Sequence, residues 1–96
     1  LAHAGLDQAI LIDCSHGNSG KDPNRQPEVL RYVAGLRTAG TASVFGAMLE
    51  SNLLGGQQSF PRSLDSLVYG QSITDACIDW DTTERLVLEV AEQLAN

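Results

Sequence analysis

Several features are scarce in this sequence. Aromatic residues make up 5% of the chain, too few for a surface on which nucleic-acid bases could stack. Six Lys and Arg stand against twelve Asp and Glu, for a net charge of −6. That balance favours solubility and excludes the clustered basic groove of a nucleic-acid binder. The two cysteines, Cys14 and Cys77, are far apart and form no C-x-x-C. Zinc-finger spacing and a disulfide-dense secreted scaffold are thereby excluded, and two reduced thiols in a cytoplasmic protein are expected. No apolar run approaches the roughly 20 residues of a spanning helix, and no basic-then-apolar leader opens the chain, so no membrane partner is expected. The first residue is Leu1 rather than Met, which points to a piece of a longer protein.

What is present is a globular composition: 43% hydrophobic and 19% charged residues over 96 positions, enough for one small domain and no more. Leu1 to Gln8 reads as a frayed end, with His3 as plain surface. Ala9-Ile10-Leu11-Ile12 is a continuous apolar run rich in β-branched residues, which predicts a parallel-sheet strand buried on both faces. It leads into the polar loop Asp13 to Asp22. From Glu28 to Ala39, Val29, Val33 and Leu36 recur at helical spacing with Leu30 and Ala34 beside them, Arg31 and Arg37 take the solvent side, and Gly40 ends the helix. Val44 to Leu49 predicts a second strand. A long connection follows, carrying Gly55-Gly56, Pro61 and Gly70, and long connections in small domains are usually functional or mobile. Ser72 is read as opening a short helical turn. Asp81 and Glu84 have capping-box spacing at the start of a last helix, whose buried stripe is Val87, Val90, Ala91 and Leu94. The order is two successive β-α units of a parallel α/β fold.

Three residues from three segments are candidates for chemistry. His16 lies just past the first strand, Glu50 ends the second, and Asp75 sits in the later connection. All three fall at the C-terminal rim of a parallel sheet, where such folds place their sites. One imidazole and two carboxylates suit Mn²⁺, Fe²⁺, Co²⁺ or Zn²⁺, and such an ion polarises a carbonyl or activates a water. Each residue also has a plainer reading. His16 fits a loop histidine satisfied by backbone, Glu50 a turn cap or an Arg partner, and Asp75 the end of a Ser72-x-x-Asp75 capping box. Gly17-Asn18-Ser19-Gly20-Lys21 reads either as a phosphate cradle or as a polar turn.

Three motifs carry a resemblance to a known family. Leu11-Ile12-Asp13-Cys14-Ser15-His16-Gly17-Asn18-Ser19 with Lys21-Asp22 resembles the seventh-strand segment of the type I 3-deoxy-D-arabino-heptulosonate 7-phosphate (DAHP) synthases. Gly46-Ala47-Met48-Leu49-Glu50-Ser51, with Gly55-Gln57-Gln58 after it, is similar to their eighth-strand segment. Tyr69-Gly70-Gln71-Ser72-Ile73-Thr74-Asp75-Ala76-Cys77-Ile78 resembles their signature before the final helix. The resemblance runs through essentially the whole chain in order. It implies that residues 1–96 are the C-terminal piece, the last two β-α units, of a (β/α)8 TIM-barrel synthase.

The resemblance further implies metal-dependent condensation of phosphoenolpyruvate with erythrose 4-phosphate, the first step of the shikimate route to aromatic amino acids. His16, Glu50 and Asp75 are then metal ligands, with His16 bordering phosphoenolpyruvate and Asp75 the sugar aldehyde in catalytic and substrate-binding roles. A homo-oligomeric parent enzyme is also implied. The family's fourth ligand, a cysteine near the start of the barrel, and its phosphate-holding Arg and Lys cluster have no counterpart here, so the chain alone is expected to be inactive. Two further hypotheses stay open at this point: a non-catalytic metal-binding or association module, and a related 3-deoxy sugar acid synthase.

Overall fold

The computed structural model describes residues 5–60 and 63–95; His3, the first four residues of the expected frayed end and Pro61 lie outside them. Strand β1 (Ile10–Asp13) and strand β2 (Val44–Met48) pair in parallel. The ladder runs Ile10 to Val44, then Leu11 to Gly46, Ile12 to Ala47 and Asp13 to Met48, with an irregularity after Ile10. Between the strands lies helix α1 (Gln26–Thr38), and helix α2 (Trp80–Ala95) follows the long connection. Helix α1 starts two residues before the expected Glu28, with Pro27 in its first turn, where a missing N–H costs nothing. Its end is where Gly40 predicts it. Gly40 has φ 99°, and its N–H donates to Arg37 O while Thr41 N–H donates to Leu36 O, the paired bonds of a left-handed helix stop.

Helix α2 departs from expectation at both its cap and its face. The cap is Asp79, whose carboxylate accepts from Thr82 N–H at 2.8 Å, so Asp81 lies inside the first turn rather than at its edge. The Thr82 side chain, and after it this N–H bond, hold the Asp79 carboxyl below its ordinary pKa. Facing the core are Leu86, 2% exposed, and of the expected stripe Val90, partly buried against it, whereas Val87 is 54% exposed and Ala91 and Leu94 are also largely open. Apolar residues surround this helix on several sides, and the face in use is the one that meets Cys14, Leu30 and Ile78.

No helix forms at Ser72. Residues 71–79 are bends and isolated bridges: Ser51 pairs with Ile78, Gly56 with Cys77, and Gln57 with Ser72. Gln58 fastens the connection by accepting from Val68 N–H and donating to the Val68 and Gln71 carbonyls. At Gly70, φ is 81° and a Cβ would stand 2.8 Å from Leu53 Cβ, so only glycine fits.

The two helices cover one face of the strand pair, and the expected burial on both faces is not met. Leu11, on the face of Gly46, is 62% exposed, because among the described residues nothing lies over that face. The chain has a surface of 6755 Å², against about 5,400 Å² for a compact monomer of its mass. Its radius of gyration is 16.1 Å, against about 12.5 Å for a closed domain of this length. The two β-α units form an open, slab-like layer.

Candidate functional site

The site begins where β1 ends. Asp13 is the last strand residue, and the chain then turns through a 3₁₀ segment, His16–Ser19. His16 has φ 51°, a left-handed conformation that costs a non-glycine residue energy and is retained where surroundings impose it. Here the constraint is visible: the Ser15 N–H and hydroxyl both donate to Asp13 Oδ1, and His16 Nδ1 lies 2.9 Å from Asp13 Oδ2. These bonds, first that of Ser15 and then that of His16, hold the Asp13 carboxyl down to about 2.

Glu50 follows β2 by two positions and is held by its backbone. Its N–H donates to Gln26 Oε1 at 2.8 Å, and its carbonyl accepts from Gln26 Nε2 at 3.1 Å. Ile78 N–H donates to the same carbonyl at 3.1 Å. Gln26 is fully buried, and its amide acts like a neighbouring strand toward both backbone groups of one residue. The bridge to Ile78 also brings the Asp75 loop beside Glu50.

The structure brings the three predicted residues together. His16 Nε2 lies 3.0 Å from Glu50 Oε1 and 3.0 Å from Asp75 Oδ2, and one donor atom from each residue falls within 4.8 Å of the others. A divalent ion with bonds of about 2.1 Å sets ligands at right angles roughly 3.0 Å apart, so both spacings fit a shared ion. The donor set of one imidazole nitrogen and two carboxylate oxygens fits the same class of metals. Without an ion, the carboxylates act on the ring: bonds to Asp13 and Asp75, and the charge of Glu50, raise the His16 pKa above its ordinary 6.5.

The plainer readings of these residues can be set against this geometry. Asp75 caps no helix; Thr74 N–H donates to Ser72 Oγ instead. The loop Gly17 to Lys21 is a polar turn. The N–H groups of Asn18, Gly20, Lys21 and Asp22 all donate to carbonyls within the turn, which leaves them unavailable to a phosphate. Lys21 nevertheless lines the cleft beside His16, Glu50 and Asp75, together with Gln57. Cys14 is buried and Cys77 half-buried, both are free, and burial pushes both thiols up. Two residues that shape the site, Asp13 and Gln26, were not singled out from the sequence. A carboxylate three positions before a candidate histidine ligand is a usable signal for Asp13; nothing in the sequence marks Gln26.

The comparisons with known proteins agree with the motif order. The profile described as the DAHP synthetase I family matches residues 2–88. The chain belongs to that family. Among curated members, the phospho-2-dehydro-3-deoxyheptonate aldolase of Alternaria alternata is 48% identical over 97 residues, covering 100% of this chain and 26% of the relative. The Tyr-sensitive phospho-2-dehydro-3-deoxyheptonate aldolase of Salmonella typhimurium is 42% identical over 96 residues, covering 100% of this chain and 27% of that one. The solved phospho-2-dehydro-3-deoxyheptonate aldolase of Francisella tularensis superposes with a TM-score of 0.82 at 39% identity, over 91% of this chain and 25% of that structure. This DAHP synthetase I chain thus spans about a quarter of the length of the relatives it matches. Among its described residues, no helix is long and apolar enough to cross a membrane.

Proposed function

We propose that this chain is the metal-bearing C-terminal corner of a DAHP synthase, the last two β-α units of a (β/α)8 barrel. The enzyme condenses phosphoenolpyruvate with erythrose 4-phosphate at the head of aromatic amino-acid synthesis. The observation that carries the reading is the convergence of His16 Nε2, Glu50 Oε1 and Asp75 Oδ2, from three segments, at spacings that suit one divalent ion. The open slab is what two units of a larger closed sheet would look like, with Leu11 on the side that further strands and side chains would fill. The same exposed face favours the second reading, an association module, only if the chain acts without the rest of a barrel.

His16, Glu50 and Asp75 would hold a divalent ion, Mn²⁺, Fe²⁺, Co²⁺ or Zn²⁺, which when bound polarises the aldehyde oxygen of the sugar phosphate. Asp75 is 65% exposed at its side chain and is the ligand that borders the incoming sugar. His16 borders phosphoenolpyruvate, and Lys21, in the same cleft, offers a positive charge to an anionic substrate. Two phosphorylated substrates need several more cations than this cleft supplies, so the 96-residue chain alone is expected to be inactive. The test follows phosphoenolpyruvate loss with erythrose 4-phosphate in excess Mn²⁺, with and without chelator. Chelator-sensitive loss is expected from the intact protein that carries this chain and not from the chain by itself. No loss from the intact protein would sink the reading, and loss from the chain alone would sink the need for the rest of the barrel.

Ion binding should depend on pH in a stated direction. The His16 pKa is raised, so its charged form adds stability to the ion-free fold below the ordinary value. That contribution is lost as pH rises through the raised one. An ion must displace the ring proton, so Mn²⁺ affinity should rise from about pH 6 to about pH 8, with proton release on binding. Equal affinity at both values would show that His16 does not ligate the ion.

A further inference from the structure

Asp13 is not one of the three donors, yet its carboxylate touches the ring that carries one of them. Oδ2 lies 2.9 Å from His16 Nδ1, and the Ser15 hydroxyl oxygen lies 2.9 Å from the same nitrogen. The Ser15 hydroxyl donates to Asp13 Oδ1. Its one proton is thereby committed, and its oxygen faces Nδ1 as an acceptor. Both groups beside Nδ1 are acceptors, so an Nδ1–H is satisfied there, and the ring proton stays on Nδ1 when an ion takes the Nε2 lone pair. Nε2 is the atom that faces Glu50 and Asp75. The arrangement is anchored in the sheet, because Asp13 is paired with Met48 and its carbonyl accepts from Asn18 Nδ2 at 2.7 Å.

We propose that Asp13 is a positioning residue: its carboxylate fixes His16 in the Nδ1–H tautomer and aims Nε2 at the Glu50–Asp75 pair. The proposal rests on the reading of that trio as an ion site. Partners of this kind orient a ligating imidazole and raise its basicity, and losing one weakens ion binding about 10–100-fold.

Asp13→Asn separates this role from turn formation. The asparagine oxygen can still accept from Ser15 N–H, whereas its amide nitrogen faces Nδ1 as a donor and drives the ring proton to Nε2. In the intact protein the Mn²⁺ dissociation constant should rise about 10–100-fold. Nitrogen-15 spectra of the metal-free protein at alkaline pH should show a smaller Nδ1–H population for His16 in Asp13→Asn than in the wild type, with the unfolding transition little changed. Asp13→Glu, which restores a carboxylate, should recover part of the affinity. A merely structural role would shift unfolding and leave the tautomer alone. Unchanged Mn²⁺ affinity in folded Asp13→Asn overturns the proposal, as does an Nδ1–H population no lower in the variant than in the wild type. Should the wild type bind no Mn²⁺, the ion reading falls, and the tautomer shift between wild type and Asp13→Asn still decides what Asp13 does. If Asp13→Asn fails to fold, Asp13→Glu decides: its displaced carboxylate should weaken Mn²⁺ binding and lower the Nδ1–H population, and wild-type values of both overturn the proposal.

Discussion

Glu50→Ala should reduce Mn²⁺ affinity by at least about 100-fold, the upper end of what removing an outer partner costs. Glu50 is the least exposed of the three donors, at 21% for its side chain, so water replaces it less readily than it would replace Asp75. Its backbone is held by Gln26 and Ile78 whatever side chain it carries. Truncation therefore removes a donor without dismantling the loop, and stability should change little. Isothermal titration of the intact protein with Mn²⁺ reads the effect, and circular dichroism checks the fold. An affinity within about threefold of wild type would mean that Glu50 is not a ligand.

Gln26→Leu should have its largest effect on stability. The substitution keeps a buried side chain of similar size but removes both bonds to the Glu50 peptide. The Glu50 carbonyl still accepts from Ile78 N–H, whereas its N–H loses the only partner it has among the described residues. An orphaned buried donor costs about 1–3 kcal/mol. Ion affinity should fall with it, because the clamp sets where Glu50 leaves the sheet. Gln26→Glu is the sharper probe: it keeps the acceptor for Glu50 N–H but turns a carboxylate oxygen toward the Glu50 carbonyl. Its stability deficit should shrink on acidification, when the glutamic acid regains a donor. Denaturant unfolding at two pH values measures both variants, and wild-type midpoints in both would show that the clamp is dispensable.

The sequence made one layer of this structure legible and not the other. The apolar runs at Ala9 to Ile12 and Val44 to Leu49 located both strands to within a residue at either end, and Gly40 located the end of α1, because these signals are local. Which face of α2 is buried was not local. Leu86, Val87, Leu88, Val90 and Leu94 ring the helix, and only contact with Cys14, Leu30 and Ile78 selects Leu86. The expectation of two-sided strand burial was a statement about neighbours, and such neighbours are absent among the described residues. Spacing and motif order singled out His16, Glu50 and Asp75, and the geometry puts them side by side. Asp13 and Gln26 escaped because their roles depend on which peptide or ring folding brings against them.

The uncovered side of the strand pair has a thermodynamic consequence. The heat capacity and denaturant sensitivity of unfolding both scale with the surface newly exposed when a chain opens. Leu11 on that side, and Phe45, Leu88 and Tyr69 elsewhere on the chain, already meet water in the folded chain, so unfolding hydrates them little further. On its own, this chain carries only part of a core. Its stability curve should be flat with temperature and its transition broad, with the steep cooperative melt of a closed domain restored only when that face is covered.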